Sequence, residues 1–210
     1  MNNGNGNQVV KDVYALIGEL WCSPPEVDTE KAKTKKDADR VLAGLETVDK
    51  ESAKLLSIFL KEETISDEDY VDLFELQPKC PLYLGSHTFD EPQTCANAAV
   101  SDRNEYMIEL IGIYRHFGQS INGGELPDYL PLMVDFLSRP AEAKDDPIRG
   151  KFIDEYMLPF MPPIRSRLEE LETPYFHLLG ALEKVIDLDL KTQALPTQQS
   201  KPKEEGCSYA

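Results

Sequence analysis

Gly123-Gly124-Glu125-Leu126-Pro127-Asp128-Tyr129-Leu130-Pro131-Leu132-Met133-Val134-Asp135-Phe136-Leu137 is the stretch on which the fold turns. Two glycines loosen the backbone and end the element before them. Pro127 fits the first position of a helix, where a missing N–H removes no bond. Asp128 then falls in the first turn, where unpaired amides and the helix dipole favour a carboxylate. Pro131 offers a second starting point, because it too lacks a backbone donor. Leu126, Tyr129, Leu130, Met133, Phe136 and Leu137 recur at spacings of three and four, one apolar face. The pattern predicts a core helix entered by its amino end, with the acidic pair Glu125 and Asp128 held at the surface beside it.

Working outward, the same periodicity recurs on both sides. Val10, Val13, Tyr14, Ile17, Leu20 and Trp21 predict a helix from about Val9, stopped by Pro24-Pro25. Residues 28–46 read as a polar, solvated helix. Asp49 is placed to cap the next helix, and Ser66 with Asp69 forms a capping box for a short one. Residues 78–100, with four prolines or glycines, read as irregular around the apolar patch Leu82-Tyr83-Leu84. Ser101 caps a helix ended by Gly118, with Arg115 and His116 in its last turn. Residues 148–171 predict two helical pieces, broken at Pro159, Pro162 and Pro163. Thr173-Pro174 predicts a capped final helix. No run alternates as a strand would. The expectation is an all-α chain: a single globular helical bundle of about seven helices or more over residues 9–190. Residues 1–8 and 191–210, polar and low in apolar content, are expected to be disordered.

Composition narrows the function. Of 210 residues, 38 are acidic and 22 basic, giving a net charge of −16. Nucleic acid and anionic membrane surfaces attract basic patches, so neither is an expected partner. A basic polypeptide is, and opposite charge would speed its encounter. No apolar run is long enough to span a bilayer, and the first residues lack the basic and apolar regions of a secretory signal. The expected compartment is the cytoplasm. Cys22, Cys80, Cys95 and Cys207 form no C-x-x-C pair, so they are expected to be free thiols rather than zinc ligands.

Catalytic signatures are missing. There is no phosphate loop, no dinucleotide fingerprint, no nucleophile elbow and no H-E-x-x-H. His87, His116 and His177 lie in separate segments without metal-ligand spacing. His87 stands in the irregular loop near Tyr83, Asp90 and Glu91. That arrangement would suit acid–base chemistry if a carboxylate came within reach, or else a hydrogen bond that fixes the loop. The residues alone describe an acidic helical protein without an evident active site, a pattern of binding proteins. A helical adaptor for an unrelated basic or apolar peptide fits it too.

Leu73-Phe74, Pro81-Leu82-Tyr83-Leu84 with His87, Asp102-Arg103, and Glu125-Leu126-Pro127-Asp128-Tyr129-Leu130-Pro131 followed by an apolar helix together resemble the assembly chaperones of molybdenum oxidoreductases. The resemblance covers roughly residues 9–190 and is strongest to the nitrate reductase delta-subunit chaperones and their relatives. Tyr129 stands where that family often has His, Ser86 where it often has an acid, and Glu91–Val100 reads as an insertion. These departures resemble the branch serving dimethylsulfide and ethylbenzene dehydrogenases and selenate, chlorate and perchlorate reductases.

The resemblance implies an all-α fold, no catalysis and no cofactor of its own, the molybdenum cofactor belonging to the client. It implies a monomer that binds the apo catalytic subunit of a molybdoenzyme, through an N-terminal segment of twin-arginine type. Such a segment is part basic and part apolar and would dock in an apolar groove with acidic rims. Tyr83, Leu84, His87, Glu125, Asp128 and Tyr129 carry over as client-peptide contacts. Arg103 carries over as a structural ion pair that holds the loop.

Overall fold

The computed structural model describes residues 3–62, 65–89, 101–121, 124–139 and 146–194. Among the described residues the chain is all-α, with no strand beyond one isolated bridge. The helices are α1 (Asn3–Leu20), α2 (Asp28–Val48), α3 (Lys50–Lys61), α4 (Asp67–Phe74), α5 (Asp102–His116), α6 (Leu130–Ser138), α7 (Pro147–Lys151), α8 (Met161–Glu170) and α9 (Tyr175–Ala194).

Local chemistry sets most of their ends. The Asp49 carboxylate accepts the Ser52 amide at the start of α3 (2.9 Å). Ser66 accepts the Asp69 amide (3.1 Å) and donates its hydroxyl to the Asp69 carboxylate (2.6 Å), locking α4. Ser101 accepts the Asn104 amide of α5 (3.2 Å). Gly118 closes α5 in the left-handed region, φ 68°, which a residue with a Cβ adopts poorly.

α1 is the central element and packs against α6, α2 and α9, while α3 packs on α9 and α2. An aromatic knot fills one end. Tyr175 stacks on Trp21 with centroids 5.1 Å apart and meets the edge of Phe74 at 4.7 Å. A polar tie crosses the core: buried Arg149 of α7 bonds Asp189 of α9 at 2.7 Å, and Tyr14 of α1 donates to the same carboxylate oxygen at 3.1 Å.

Three expectations change and one open choice is decided. α1 is described from Asn3, ahead of Val9, over residues expected to be disordered; once its core face nucleates the helix, each added residue needs only one more bond, and Gln8 reaches Asp12 at 2.8 Å. Of the two starts the sequence offers for α6, the structure uses the later one: the helix begins at Leu130 with Pro131 in its first turn. The second half breaks at Pro159 as expected, but through a π-helical turn at Phe152–Met157 and a 3₁₀ turn at Leu158–Phe160 rather than a simple bend. Thr173 does not cap α9 with its side chain: its hydroxyl has no partner, and its carbonyl accepts the Phe176 amide instead (3.0 Å). The tail from residue 195, with Cys207, and the segment holding Cys95 and the Glu91–Val100 insertion lie outside the described residues. Cys22 and Cys80 are free thiols.

Candidate functional site

The amino end of α6 is secured by a backbone crossing. The Leu130 amide is one of the helix's unpaired N-terminal donors, and it donates to the Leu82 carbonyl (2.8 Å). The Leu84 amide donates to the Asp128 carbonyl (3.0 Å), so Tyr83 and Tyr129 form an isolated antiparallel bridge. Side chains alternate across such a pair. Leu82, Leu84, Asp128 and Leu130 therefore point inward and are buried. Tyr83 and Tyr129 point outward, half-buried, with ring centroids 5.3 Å apart.

Parity thus divides the expected site. Asp128, expected at the surface, is 0% exposed, and so is Leu84. Neither presents a surface to a partner, which corrects their expected role as client contacts. Asp128 instead accepts the Gly85 amide at 2.9 Å and has the Arg103 guanidinium 4.0 Å away. Burial pushes its carboxyl above the usual carboxylate range, opposed by the Gly85 amide and by Arg103. Arg103, itself half-buried, lies beside the buried acid that grips the loop.

The loop beyond the crossing, a 3₁₀ turn over Leu84–His87, is fixed by its own bonds. Ser86 donates to the Tyr83 carbonyl (2.6 Å), and the Phe89 amide donates to the Gly85 carbonyl (2.9 Å). His87 Nε2 donates to the Pro81 carbonyl at 2.7 Å. Its observed partner is a carbonyl, which accounts for a loop-fixing role and lends nothing to acid–base chemistry. Asp90 and Glu91 lie outside the described residues.

On the outer face, the Tyr83 hydroxyl donates to the exposed Glu125 carboxylate at 2.6 Å. Desolvation and then this carboxylate push the Tyr83 phenol well up, so it stays a neutral donor. Burial also raises Tyr129, opposed by its hydrogen bond with Tyr70, with Cys22, Glu125 and Glu75 adding to the rise. The field of Glu19, Asp135 and Glu125 reaches Cys22, whose thiol is raised first by desolvation and then by those three acids. Glu125 thus acts on both tyrosines and on Cys22, Glu75 acts on Tyr129, and Glu19 and Asp135 act on Cys22, the Asp135 carboxylate being already paired with Arg139. Two apolar side chains stand clear of the core next to two of these acids, Leu126 at 44% exposure beside Glu125 and Leu76 at 74% beside Glu75. The sequence analysis did not single out Glu19, Glu75 or Asp135, whose fields reach Cys22 or Tyr129 only through the fold. Among the described residues, no group of three or more His, Cys, Asp or Glu could hold a metal ion, and no helix is long and apolar enough to cross a membrane.

The protein-family model described as the nitrate reductase delta subunit matches residues 45–166, a span containing the crossing, Arg103 and Glu125. The nitrate reductase molybdenum cofactor assembly chaperone NarJ of Escherichia coli K12 is 28% identical over 149 residues, covering 69% of this chain and 58% of NarJ. A probable nitrate reductase molybdenum cofactor assembly chaperone of the same organism, NarW, is 27% identical over 130 residues, 62% of this chain and 51% of NarW. The nitrate reductase-like protein NarX of Mycobacterium tuberculosis is 28% identical over 120 residues, 57% of this chain but 16% of that protein. The match therefore spans little more than half of the two chaperones' length.

Proposed function

The chain belongs to the nitrate reductase delta subunit family, and from that premise we propose that it is an assembly chaperone for a molybdopterin-containing oxidoreductase of the dimethylsulfoxide reductase class. It binds the apo catalytic subunit in the cytoplasm and holds it until the molybdenum cofactor is inserted. It has no catalytic role and carries no cofactor itself. The client presents an N-terminal segment of twin-arginine type, with basic residues for the acidic rim and apolar residues for the leucines between them.

The observation that supports this reading best is the outer face of the crossing. Tyr83, Glu125 and Tyr129 are presented together, flanked by Leu76 and Leu126. Exposed apolar and aromatic side chains beside carboxylates suit a partner that alternates apolar and basic side chains. Asp128, Arg103, Gly85 and Leu84 take the supporting part, fixing the backbone from which the tyrosines project.

The test is titration calorimetry of the purified apo catalytic subunit against the wild type and a Tyr83→Phe/Glu125→Gln variant. Both substitutions lie on the outer face, so the variant should keep the wild-type circular dichroism. Its affinity should fall about tenfold, equivalent to ~1.4 kcal/mol. A folded variant that binds and matures the client as the wild type does would remove this face from the mechanism. No complex with the wild type would remove the chaperone reading.

A further inference from the structure

α5 carries apolar side chains on both of its sides. Tyr106, Leu110, Ile113 and Tyr114 are buried against the body of the molecule. On the opposite side Ile108 is 59% exposed, Ile111 is half-buried, and Gly112 and Arg115 stand open beside them. Ile108, Ile111, Gly112 and Arg115 recur at spacings of three and four, so they form one stripe along the outer face.

Gly112 is the second observation. A glycine inside a helix weakens it relative to alanine. Nothing lies within 4 Å of a Cβ built there, so nothing among the described residues requires the missing side chain. A second backbone lying close would require it, because the distance between packed helices follows the size of the side chains at their contact. Charge identifies what that second backbone is. Glu105 lies in the first turn of α5 and Arg115 in its last, and among the described residues neither forms an ion pair. When a second copy of α5 is laid antiparallel across the stripe, with the two-fold axis beside Leu110, positions equally far from Leu110 face each other. Ile108 then meets Gly112 of the other copy and Glu105 meets Arg115, and each contact occurs twice, as a two-fold interface demands. Glu109 is held aside by the Tyr156 hydroxyl at 2.7 Å.

We propose that the outer face of α5 is the contact for a second copy of this chain, paired antiparallel about Leu110. It shares no residue with the Tyr83–Tyr129 face and does not depend on the function of that face. One helix pair buries less than the ~1,600 Å² of a standard stable interface, so the dissociation constant is on the order of 100 µM. The charge of −16 on each copy also opposes the approach until salt screens it. The monomer implied by the resemblance is then the dilute form.

The experiment is sedimentation velocity of the full chain from about 5 to about 500 µM in about 0.15 M salt. The mean mass should rise from one chain toward two. Ile108→Ser and Gly112→Gln should each weaken the pair at least fivefold. Both positions are exposed, and glutamine favours a helix more than glycine does, so Gly112→Gln should keep or raise the urea midpoint while losing the pair. Glu105→Arg should also weaken association at least fivefold, and Glu105→Arg/Arg115→Glu should restore it to within about twofold. The two positions are about 15 Å apart along one helix, so a rescue comes only from contact between copies. A single chain at every concentration, an unchanged pair in Gly112→Gln, or no recovery in the charge swap would each overturn the proposal. A monomeric wild type whose Ile108→Ser variant binds the apo catalytic subunit less tightly would assign the face to the client and overturn it as well.

Discussion

Gly85 is the residue at which the crossing is least tolerant of change. A Cβ built there would lie 2.8 Å from Asp128 Oδ2, 3.3 Å from Phe89 and 3.4 Å from Tyr106. The Asp128 carboxylate cannot swing away, because its side chain is short, buried and bonded to the Gly85 amide itself. Gly85→Ala should therefore cost about 1–3 kcal/mol by overpacking, read as a lower urea midpoint. Gly112→Ala is the control. It lies on the exposed face of α5, nothing would meet its Cβ within 4 Å, and it should be neutral or stabilising by up to ~1 kcal/mol. Equal midpoints for wild type and Gly85→Ala would show that the loop is not clamped as described. Nothing near Gly85 in the sequence announces this, since the atom that forbids a side chain comes from Asp128, 43 positions later. The same distance hid the division of the site. Tyr83, Leu84, Asp128 and Tyr129 are all visible as a group in the sequence, but inward and outward are decided by the backbone pairing, and no local period carries it.

At the level of elements, the helices were legible because their signals are local. The caps at Asp49, Ser66 and Ser101 and the stop at Gly118 act within four residues, and the structure uses each one. The α7–α8 run was legible only as an interruption. Pro159 lacks the amide that would continue the ladder, so the carbonyls before it pair over longer and shorter spans, giving a π turn and then a 3₁₀ turn. The sequence does not tell which irregularity results. It also gives no sign of the Arg149–Asp189–Tyr14 tie, because its members lie on three elements. That tie should behave as a buried ion pair. Arg149→Met leaves the Asp189 charge buried without its cation and should cost about 3–5 kcal/mol, whereas Arg149→Met/Asp189→Leu/Tyr14→Phe, which leaves neither a charge nor the Tyr14 hydroxyl unpaired, should recover most of the loss. Chemical denaturation of both variants checks this, and a single variant as stable as the wild type would mean that Asp189 is satisfied without Arg149.

Across the whole molecule the dominant quantity is the charge of −16, and Cys22 is a built-in gauge of where it concentrates. Its thiol reaches solvent, but desolvation and the fields of Glu19, Asp135 and Glu125 all disfavour the thiolate. The shift is upward, so the reactive form is scarce below the ordinary thiol range and appears only as pH rises past it. Alkylation of Cys22 by iodoacetamide, followed by mass analysis of its peptide between pH 7 and 10, should therefore be slower than that of a free cysteine peptide at every pH below the plateau. Glu125→Gln removes one of the opposing charges without touching the thiol. It should move the profile to lower pH and speed the reaction near pH 8. Added salt should bring wild type and variant together, because exposed charges are screened. A basic segment seated on the rim would act in the same direction as Glu125→Gln on the ionisation while covering the sulfur, so the pH midpoint and the plateau rate should both fall on binding. If the midpoint is unmoved by Glu125→Gln at low salt, the acids around the crossing do not act as one rim, and the electrostatic case for a basic partner at this face is lost.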